Sequence, residues 1–166
     1  MNPEVNIHAT CVRLALAGRK FGAPPAAGVL LIGGSGSGKS DLALRLLGRG
    51  AELVSDDRTI LRVERGRLTA RAPRQIAGLI EIRGVGIVEM PHAASARILL
   101  VVNLSGVVQR LPPRQNWSPP KPLVLPAKSR PALITLSALD SSTPDKIAAS
   151  VAASRHRLLR DSVKSN

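Results

Sequence analysis

Aromatic residues and cysteine are almost missing from this sequence. Phe21 and Trp117 are the two aromatic side chains, and there is no tyrosine. Proteins that bind single-stranded nucleic acid stack bases on several aromatic side chains, so this chain is poorly suited to that role. Cys11 has no second cysteine to pair with, which excludes an internal disulfide and favours a reducing cytoplasm.

Long hydrophobic runs are also missing. The apolar runs GVLLIG and ILLVV fall far short of the roughly 20 residues that a membrane-spanning helix needs. The opening MNPEVNIHATC lacks the basic and apolar regions of a signal peptide. Hydrophobic residues nevertheless make up 44% of the 166 residues, enough for a buried core. We therefore expect a soluble globular protein with a single domain over residues 1–166.

Acidic residues are scarce and unevenly placed. The chain has 11 of them against 24 lysines and arginines, a formal net charge of +13. This excess is compatible with nucleic acid, an anionic membrane surface, a phosphorylated ligand or an acidic protein as partner. Seven of the acids lie between residues 41 and 89, and residues 90–139 contain none. This uneven distribution indicates that the carboxylates of this segment serve a local function.

Strand-like segments outnumber helical ones. GVLLIG at residues 28–33 is typical of a strand buried on both faces, and Leu42, Leu46 and Leu47 follow it with helical spacing. Further strands are predicted at residues 5–16, 52–54, 59–64, 68–71, 79–82, 97–103 and 133–137. Many short strands with few helices predict an α/β fold with a mixed sheet around the first helix.

The C-terminal third divides into a proline-rich segment and a helix. Residues 111–131 contain seven of the 13 prolines and are predicted to be a loop or an edge excursion, because proline has no amide for a central sheet. Trp117 within it is expected to seal a local cluster, with a partner contact as the alternative. A helix is predicted at residues 144–161, with Pro144 in its first turn. Its buried stripe would consist of Ile147, Val151, Leu158 and Leu159.

One glycine-rich segment carries a phosphate-binding pattern. Residues 33–40 read GGSGSGKS and match G-x-x-x-x-G-K-[ST] in full. Backbone amides of such a loop point at phosphate oxygens, Lys39 would contact the β- and γ-phosphates, and Ser40 would bind Mg²⁺. The members of this predicted loop are Gly33, Gly34, Ser35, Gly36, Ser37, Gly38, Lys39 and Ser40. A glycine-rich linker is the alternative, but it leaves the buried strand before the loop and the amphipathic helix after it unexplained.

Asp56 and Asp57 follow the next apolar segment. In nucleotide sites a carboxylate at such a strand end binds Mg²⁺ or its water, and a second one accepts a proton from an attacking hydroxyl. An Asp pair by itself is more often a solvated turn or a cap. Its position beside a phosphate loop favours the catalytic interpretation.

The segment IEIRGVGIV places Glu81 and Arg83 two residues apart in a strand-like run. Strand alternation puts both side chains on one face, where they would form a salt bridge or serve a site. Spacing alone does not choose between these alternatives.

Taken together, GGSGSGKSDLAL, RGAELVSDD and GLIEIRGVGIVEM resemble the bacterial HPr kinase/phosphorylase family in their order and approximate spacing. The corresponding family patterns are G-x-S-G-x-G-K-S-E, R-G-x-x-L-V-A-D-D and L-E-I-R-G-L-G-I. The resemblance extends from about His8 to the last helix and implies a form with the catalytic domain alone. It implies an HPr kinase/PEP carboxykinase-like P-loop kinase fold, and an assembly of six copies.

The resemblance also implies roles for single residues. Asp57 would accept the proton of the target serine, Asp56 would lie close to the metal, and Glu81 would be the second Mg²⁺ ligand. His8 would be a catalytic histidine, although a lone histidine is more often structural. Lys128 would replace the catalytic arginine of a late loop, with Arg130 as the alternative, and lysine lacks the bidentate fork of arginine.

These observations predict a cytoplasmic kinase that uses ATP and Mg²⁺ to phosphorylate a serine of an HPr-like phosphocarrier. No copy of the family's dephosphorylation segment is visible, so the phosphorylase reaction is less supported. The alternatives are an ATP-binding switch that binds a partner without phosphorylating it, a nucleic-acid-binding module and a small-molecule kinase. The acid-free segment is expected to form a wall for phosphate or for an acidic partner; its cations are Arg97, Arg110, Arg114, Lys121, Lys128 and Arg130.

Overall fold

A computed structural model describes residues 3–15 and 21–156. Within them the chain forms eleven strands and two α-helices. The strands are β1 (Glu4–His8), β2 (Thr10–Leu14), β3 (Ala27–Ile32), β4 (Glu52–Ser55), β5 (Arg58–Glu64), β6 (Arg67–Arg71), β7 (Leu79–Ile82), β8 (Gly86–Glu89), β9 (Ala96–Asn103), β10 (Gln115–Asn116) and β11 (Ala132–Thr135). The helices are α1 (Lys39–Leu47) and α2 (Thr143–His156).

The predicted mixed sheet is confirmed. Its strands run in the order β1-β5-β6-β9-β3-β2-β4, and β11 continues beside the second half of β9 with β10 at its edge. Strand β9 is parallel to β3 and to β11, while the other pairs in this sheet are antiparallel. A separate hairpin is formed by β7 and β8. The molecule is therefore an α/β fold with a strand-rich sheet around α1.

The predicted strand at residues 5–16 is two strands in the structure. Strand β1 pairs with β5, whereas β2 lies between β3 and β4. Ala9 separates them, and its amide donates to the carbonyl of Asp57 (3.2 Å). The single-strand prediction was wrong because the alternation of apolar residues continues from β1 into β2. The two strands differ only in the strands with which they pair, and the sequence pattern does not show this.

Both faces of the central sheet are covered. On one face Val29 and Leu31 of β3 pack with Leu42 and Leu46 of α1, together with side chains of α2. On the other, Leu30 joins a cluster that includes Leu123 and Leu125 of the proline-rich segment, and the half-buried Trp117 packs against it. Alternate residues of β3 thus enter opposite cores, as strand geometry requires. This explains the uninterrupted apolar run at residues 28–33.

The C-terminal helix begins where the sequence predicts. The Thr143 hydroxyl donates to the carbonyl of Ser137 (2.6 Å), and Ile147 and Val151 are buried. Leu158, Leu159 and the rest of the predicted helix beyond residue 156 lie outside the described residues. No helix in the described part of the chain is long and apolar enough to cross a membrane.

Candidate active site

The phosphate-loop motif connects the end of β3 to the start of α1. Gly36 and Gly38 have φ of 76° and 89°, a left-handed conformation that glycine adopts readily. The Gly34 amide donates to Ser105 Oγ (2.9 Å), which anchors the loop to the segment after β9. The helix N-terminus and the curled backbone therefore face the same space, as an anion-binding loop needs.

Lys39 is held against its own loop. Its Nζ donates to the carbonyl oxygens of Gly33 and Gly34, both at 2.9 Å, and the residue is only 6% exposed. Desolvation lowers the pKa of Lys39, while the negative charges of Asp57 and Asp56 act to raise it. The ammonium group is therefore within electrostatic reach of both carboxylates, while its hydrogen bonds go to the loop itself.

Asp56 is a buried carboxylate with three donors. Its Oδ1 accepts hydrogen bonds from Thr10 Oγ1 (2.7 Å) and Ser40 Oγ (2.8 Å), and its Oδ2 accepts one from the amide of Glu81 (3.1 Å). Strand β2, helix α1 and strand β7 thus meet at this side chain. The carboxylate cannot rotate without breaking at least one of these bonds, so it fixes the Ser40 hydroxyl.

Asp57 and His8 form a pair on the exposed side of the same site. His8 Nε2 lies 3.1 Å from Asp57 Oδ1, with side-chain exposures of 40% and 68%. Asp57 has φ of 61°, an uncommon conformation for a residue other than glycine, though aspartate is among those that adopt it. Strain retained at such a position is a recurring feature of functional sites. The turn places the Asp57 carboxylate at solvent while Asp56 points inward.

One cavity of about 490 Å³ brings the separate predictions together. It contains the phosphate loop, the His8–Asp57 pair and Glu81. Its lining residues are His8, Ser35, Gly36, Gly38, Lys39, Ser40, Asp41, Leu44, Asp57, Glu81, Ile82, Arg83, Ala138 and Leu139. Residues more than 40 positions apart in sequence therefore share one solvent-accessible space.

Glu81 and Arg83 lie on the β7–β8 hairpin and both face this cavity. Both are exposed, and no ion pair within 4.0 Å joins them in the described structure. The salt-bridge alternative is therefore not observed. Gly84, with φ of 83°, lets the chain turn back into β8, which is not among the predicted strands.

Lys128 and the other cations of the acid-free segment do not reach the cavity. Lys128 is exposed on a short 3₁₀ turn at Ala127–Ser129, and the Arg130 Nε donates to the carbonyl of Leu125 (3.4 Å). This segment packs through Leu123 and Leu125 on the opposite face of the sheet from α1. The expected phosphate wall is therefore wrong for this cavity, whose lining cations are Lys39 and Arg83. A catalytic role for Lys128 stays a prediction without support from its position in a single chain.

Two positioning residues were missed by the sequence analysis. Thr10 orients Asp56, as described above. Arg45 of α1 donates to the carbonyls of Ala138 and Asp140 and pairs with Asp41 (3.1 Å). It thereby fixes the segment that carries Ala138 and Leu139 along the cavity edge. A polar residue in a buried strand was the available signal for Thr10, whereas nothing in the sequence distinguishes Arg45 from other polar residues of the helix.

The site suits Mg²⁺ by the chemistry of its donors. Ser40 and Asp56 present oxygen atoms 2.8 Å apart, and the Glu81 carboxylate lines the same cavity. Among residues 3–15 and 21–156, no group of three or more His, Cys, Asp or Glu side chains is arranged so that it could hold a metal ion by itself. Mg²⁺ is usually bound by one or two carboxylates together with water and substrate phosphates, so a dedicated protein cage is not needed.

Residues 25–108 match the family model described as the HPr Serine kinase C-terminal domain. Two curated relatives named HPr kinase/phosphorylase are 43% identical over 96 residues (Brevibacillus brevis) and 37% identical over 90 residues (Clostridium tetani). These alignments cover 57% and 54% of this chain, but 30% and 28% of the relatives. The chain thus matches less than a third of the length of these relatives.

A solved structure described as the Hpr(Ser) kinase/phosphatase from Coxiella burnetii is also similar. It aligns with a TM-score of 0.66 over 93% of this chain and 97% of that chain, at 22% sequence identity. The two share a fold. Lys39, Asp57 and Glu81 lie within the range matched by the family model, whereas His8 and Lys128 lie outside it.

Proposed function

The chain belongs to the HPr serine kinase C-terminal domain family, and from this membership we propose that it transfers the γ-phosphoryl group of ATP to a serine of a small HPr-like phosphocarrier protein. One observation supports this most directly. The His8–Asp57 pair and the Lys39–Ser40 end of the phosphate loop line one cavity. A phosphate donor and a base that activates a hydroxyl would therefore meet there.

The phosphate loop binds and orients the donor in this proposal. Amides of residues 33–40 and the N-terminus of α1 face the phosphates, and Lys39 exchanges its carbonyl partners for phosphate oxygens. Ser40 and Glu81 would hold Mg²⁺, with Asp56 orienting Ser40. The metal would neutralise charge on the phosphate oxygens. Positioning and charge stabilisation make up most of what a protein contributes to phosphoryl transfer.

Asp57 accepts the proton of the acceptor serine. The serine oxygen forms a bond to the γ-phosphorus as the bond to the β–γ bridging oxygen breaks, and ADP leaves. The proton of the serine hydroxyl passes to the Asp57 carboxylate. His8, at 3.1 Å, orients that carboxylate. The exposure of Asp57 is compatible with an acceptor carried on a protein surface.

Mass spectrometry of an HPr-like protein after incubation with this chain, Mg²⁺ and ATP tests the proposal. One phosphate on a serine is the expected result, and omission of this chain is the control. Binding of ATP and of the carrier without any phosphorylation would instead favour the nucleotide-dependent switch. We also propose a cytoplasmic location, which cell fractionation tests. An assembly of several copies, six by the family resemblance, is proposed as well, and sedimentation tests it.

A further inference from the structure

A second cavity lies away from the catalytic one and is rich in arginine. Its volume is about 640 Å³, and its lining residues are Glu64, Arg65, Arg67, Thr69 and Arg97. It shares no lining residue with the catalytic cavity. Strand β5 begins beside Asp57 and ends at Glu64, so the two sites are separated by roughly 20 Å of extended chain.

The strands bring the arginines together. Thr69 of β6 is the cross-strand partner of Arg97 in β9, and Arg67 lies two residues before Thr69. Arg67 and Arg97 are therefore diagonal neighbours on one face, about 7–8 Å apart at their Cα atoms, within reach of long side chains. Arg65 joins them from the turn between β5 and β6, where Arg65 and Gly66 have φ of 49° and 71°. That geometry is typical of a tight two-residue hairpin turn.

The arginines are not neutralised by the protein. Within the described residues none of Arg65, Arg67 and Arg97 has an ion-pair partner within 4.0 Å, because the one carboxylate of the cavity, Glu64, is engaged by Arg62. The Thr69 hydroxyl already donates to the carbonyl of Arg62 (3.2 Å), so the available donors are the guanidinium groups. Desolvation, and next the like charge of Arg67, lower the pKa of Arg97. In the described structure the three arginines of the cavity therefore have no carboxylate that is free to pair with them.

From this arrangement we propose that the cavity formed by Arg65, Arg67 and Arg97 binds a phosphate-type dianion, either free or as the terminal group of a small phosphomonoester. Guanidinium forks match the oxygens of phosphate in pairs, and two of them on neighbouring strands would hold one dianion from two sides. The volume falls in the range of small-ligand sites. A concave site of this size favours a small anion over an extended polyanion.

Equilibrium dialysis with radiolabelled inorganic phosphate tests the proposal. Two phosphates per chain are expected for the wild type, one at the phosphate loop and one at the arginine cavity. The double variant Arg67→Gln/Arg97→Gln should retain one, and each single variant should weaken the second site about tenfold. Arg110→Gln, which removes an exposed arginine outside both cavities, is the matched control and should retain two.

A Lys39→Gln variant separates this site from the catalytic one. It should lose the phosphate-loop site and retain the arginine site, on which unlabelled phosphate and glycerol 2-phosphate are then compared as competitors. Displacement by both indicates a site that accepts esters, and displacement by phosphate alone indicates one for the free anion. The proposal is overturned if the arginine variants keep the wild-type stoichiometry, or if chloride or a short oligonucleotide displaces the label as well as phosphate does.

Discussion

Thr10 Oγ1 donates a 2.7 Å hydrogen bond to Asp56 Oδ1, joining β2 to the turn after β4. Both residues are buried, at 0% and 4% exposure. The same oxygen accepts from Ser40, so a threonine in the sheet sets the position of the hydroxyl expected to bind Mg²⁺. A buried threonine of the sheet therefore helps to orient this carboxylate of the candidate site.

Replacing Thr10 by valine should weaken both the fold and the site. The side chain keeps its shape but loses the donor, so Asp56 stays buried with one hydrogen bond fewer. We expect the free energy of unfolding to fall by about 1–3 kcal/mol and the Mg²⁺ concentration needed for half-maximal transfer to rise. Urea denaturation and Mg²⁺ titrations of activity measure the two effects. Thr10→Ser retains the donor and should recover most of both; equal behaviour of the two variants would refute the role.

Replacing Asp57 by asparagine should separate binding from transfer. Asparagine has the same shape and, like aspartate, is enriched in the left-handed region, so the φ of 61° is preserved. The substitution removes the proton acceptor, together with the negative charge that faces His8 and acts on Lys39. Removal of a general base typically costs about 10²–10⁴-fold in rate, so transfer to the carrier should fall at least about 100-fold, while ATP binding should not weaken because no phosphate-binding group is lost.

The control for Asp57→Asn is Glu89→Gln. Glu89 is an exposed acid at the end of β8, outside the cavity around the phosphate loop, and its replacement changes the net charge equally. Its transfer rate should equal that of the wild type. Wild-type activity in Asp57→Asn, measured by the same phosphate-transfer assay, would exclude Asp57 as the base.

Much of the cavity around the phosphate loop could be predicted from local patterns. The phosphate loop needs glycines at fixed positions because its backbone adopts left-handed angles there. The motif GGSGSGKS therefore predicts the backbone conformation of the loop. Asp56 and Asp57 were predicted as a pair, but their opposite environments were not. One is buried and the other exposed because Asp57 takes a left-handed turn, and that conformation is not encoded in the residue types alone.

Long-range relationships were harder to predict. Arg97 and Lys128 belong to the same acid-free segment, yet the sheet places Arg97 beside Arg67 while Lys128 lies on the proline-rich loop. Sequence proximity gave no information on which face of the sheet each cation occupies. Strand pairing decides this, and the pairing of β6 with β9 joins residues nearly 30 positions apart.

Cys11 should make the stability depend on pH above neutrality. Complete burial raises the pKa of the Cys11 thiol well above its ordinary value of 9.0. Above pH 9 the unfolded chain therefore releases the thiol proton while the folded chain keeps it, and the stability must fall as pH rises. The expected slope is about 1.4 kcal/mol per pH unit, measured by urea denaturation between pH 9 and 11.

A Cys11→Ala variant isolates this contribution. Its smaller side chain lowers the stability at every pH, so the difference in slope between the two proteins is the informative quantity. The wild type should lose stability more steeply than the variant above pH 9, and the two should run parallel below pH 8. Parallel curves over the whole range would show that the folded thiol ionises as readily as the unfolded one.

Replacing Gly38 by alanine should disrupt the phosphate loop in two separable ways. Its φ of 89° costs roughly 1–2 kcal/mol for a residue with a Cβ, and that atom would lie 2.7 Å from the Ala138 Cβ. Adding Ala138→Gly removes the contact but not the strain, so the double variant should regain part of the unfolding free energy and little of the ATP affinity, measured by denaturation and calorimetry.

Gly48→Ala is the matched control, because Gly48 has an ordinary φ of −61° and its new Cβ would come no nearer than 3.6 Å to the surrounding atoms. Full recovery of ATP affinity in the double variant would show that the contact with Ala138, and not the backbone of Gly38, limits binding.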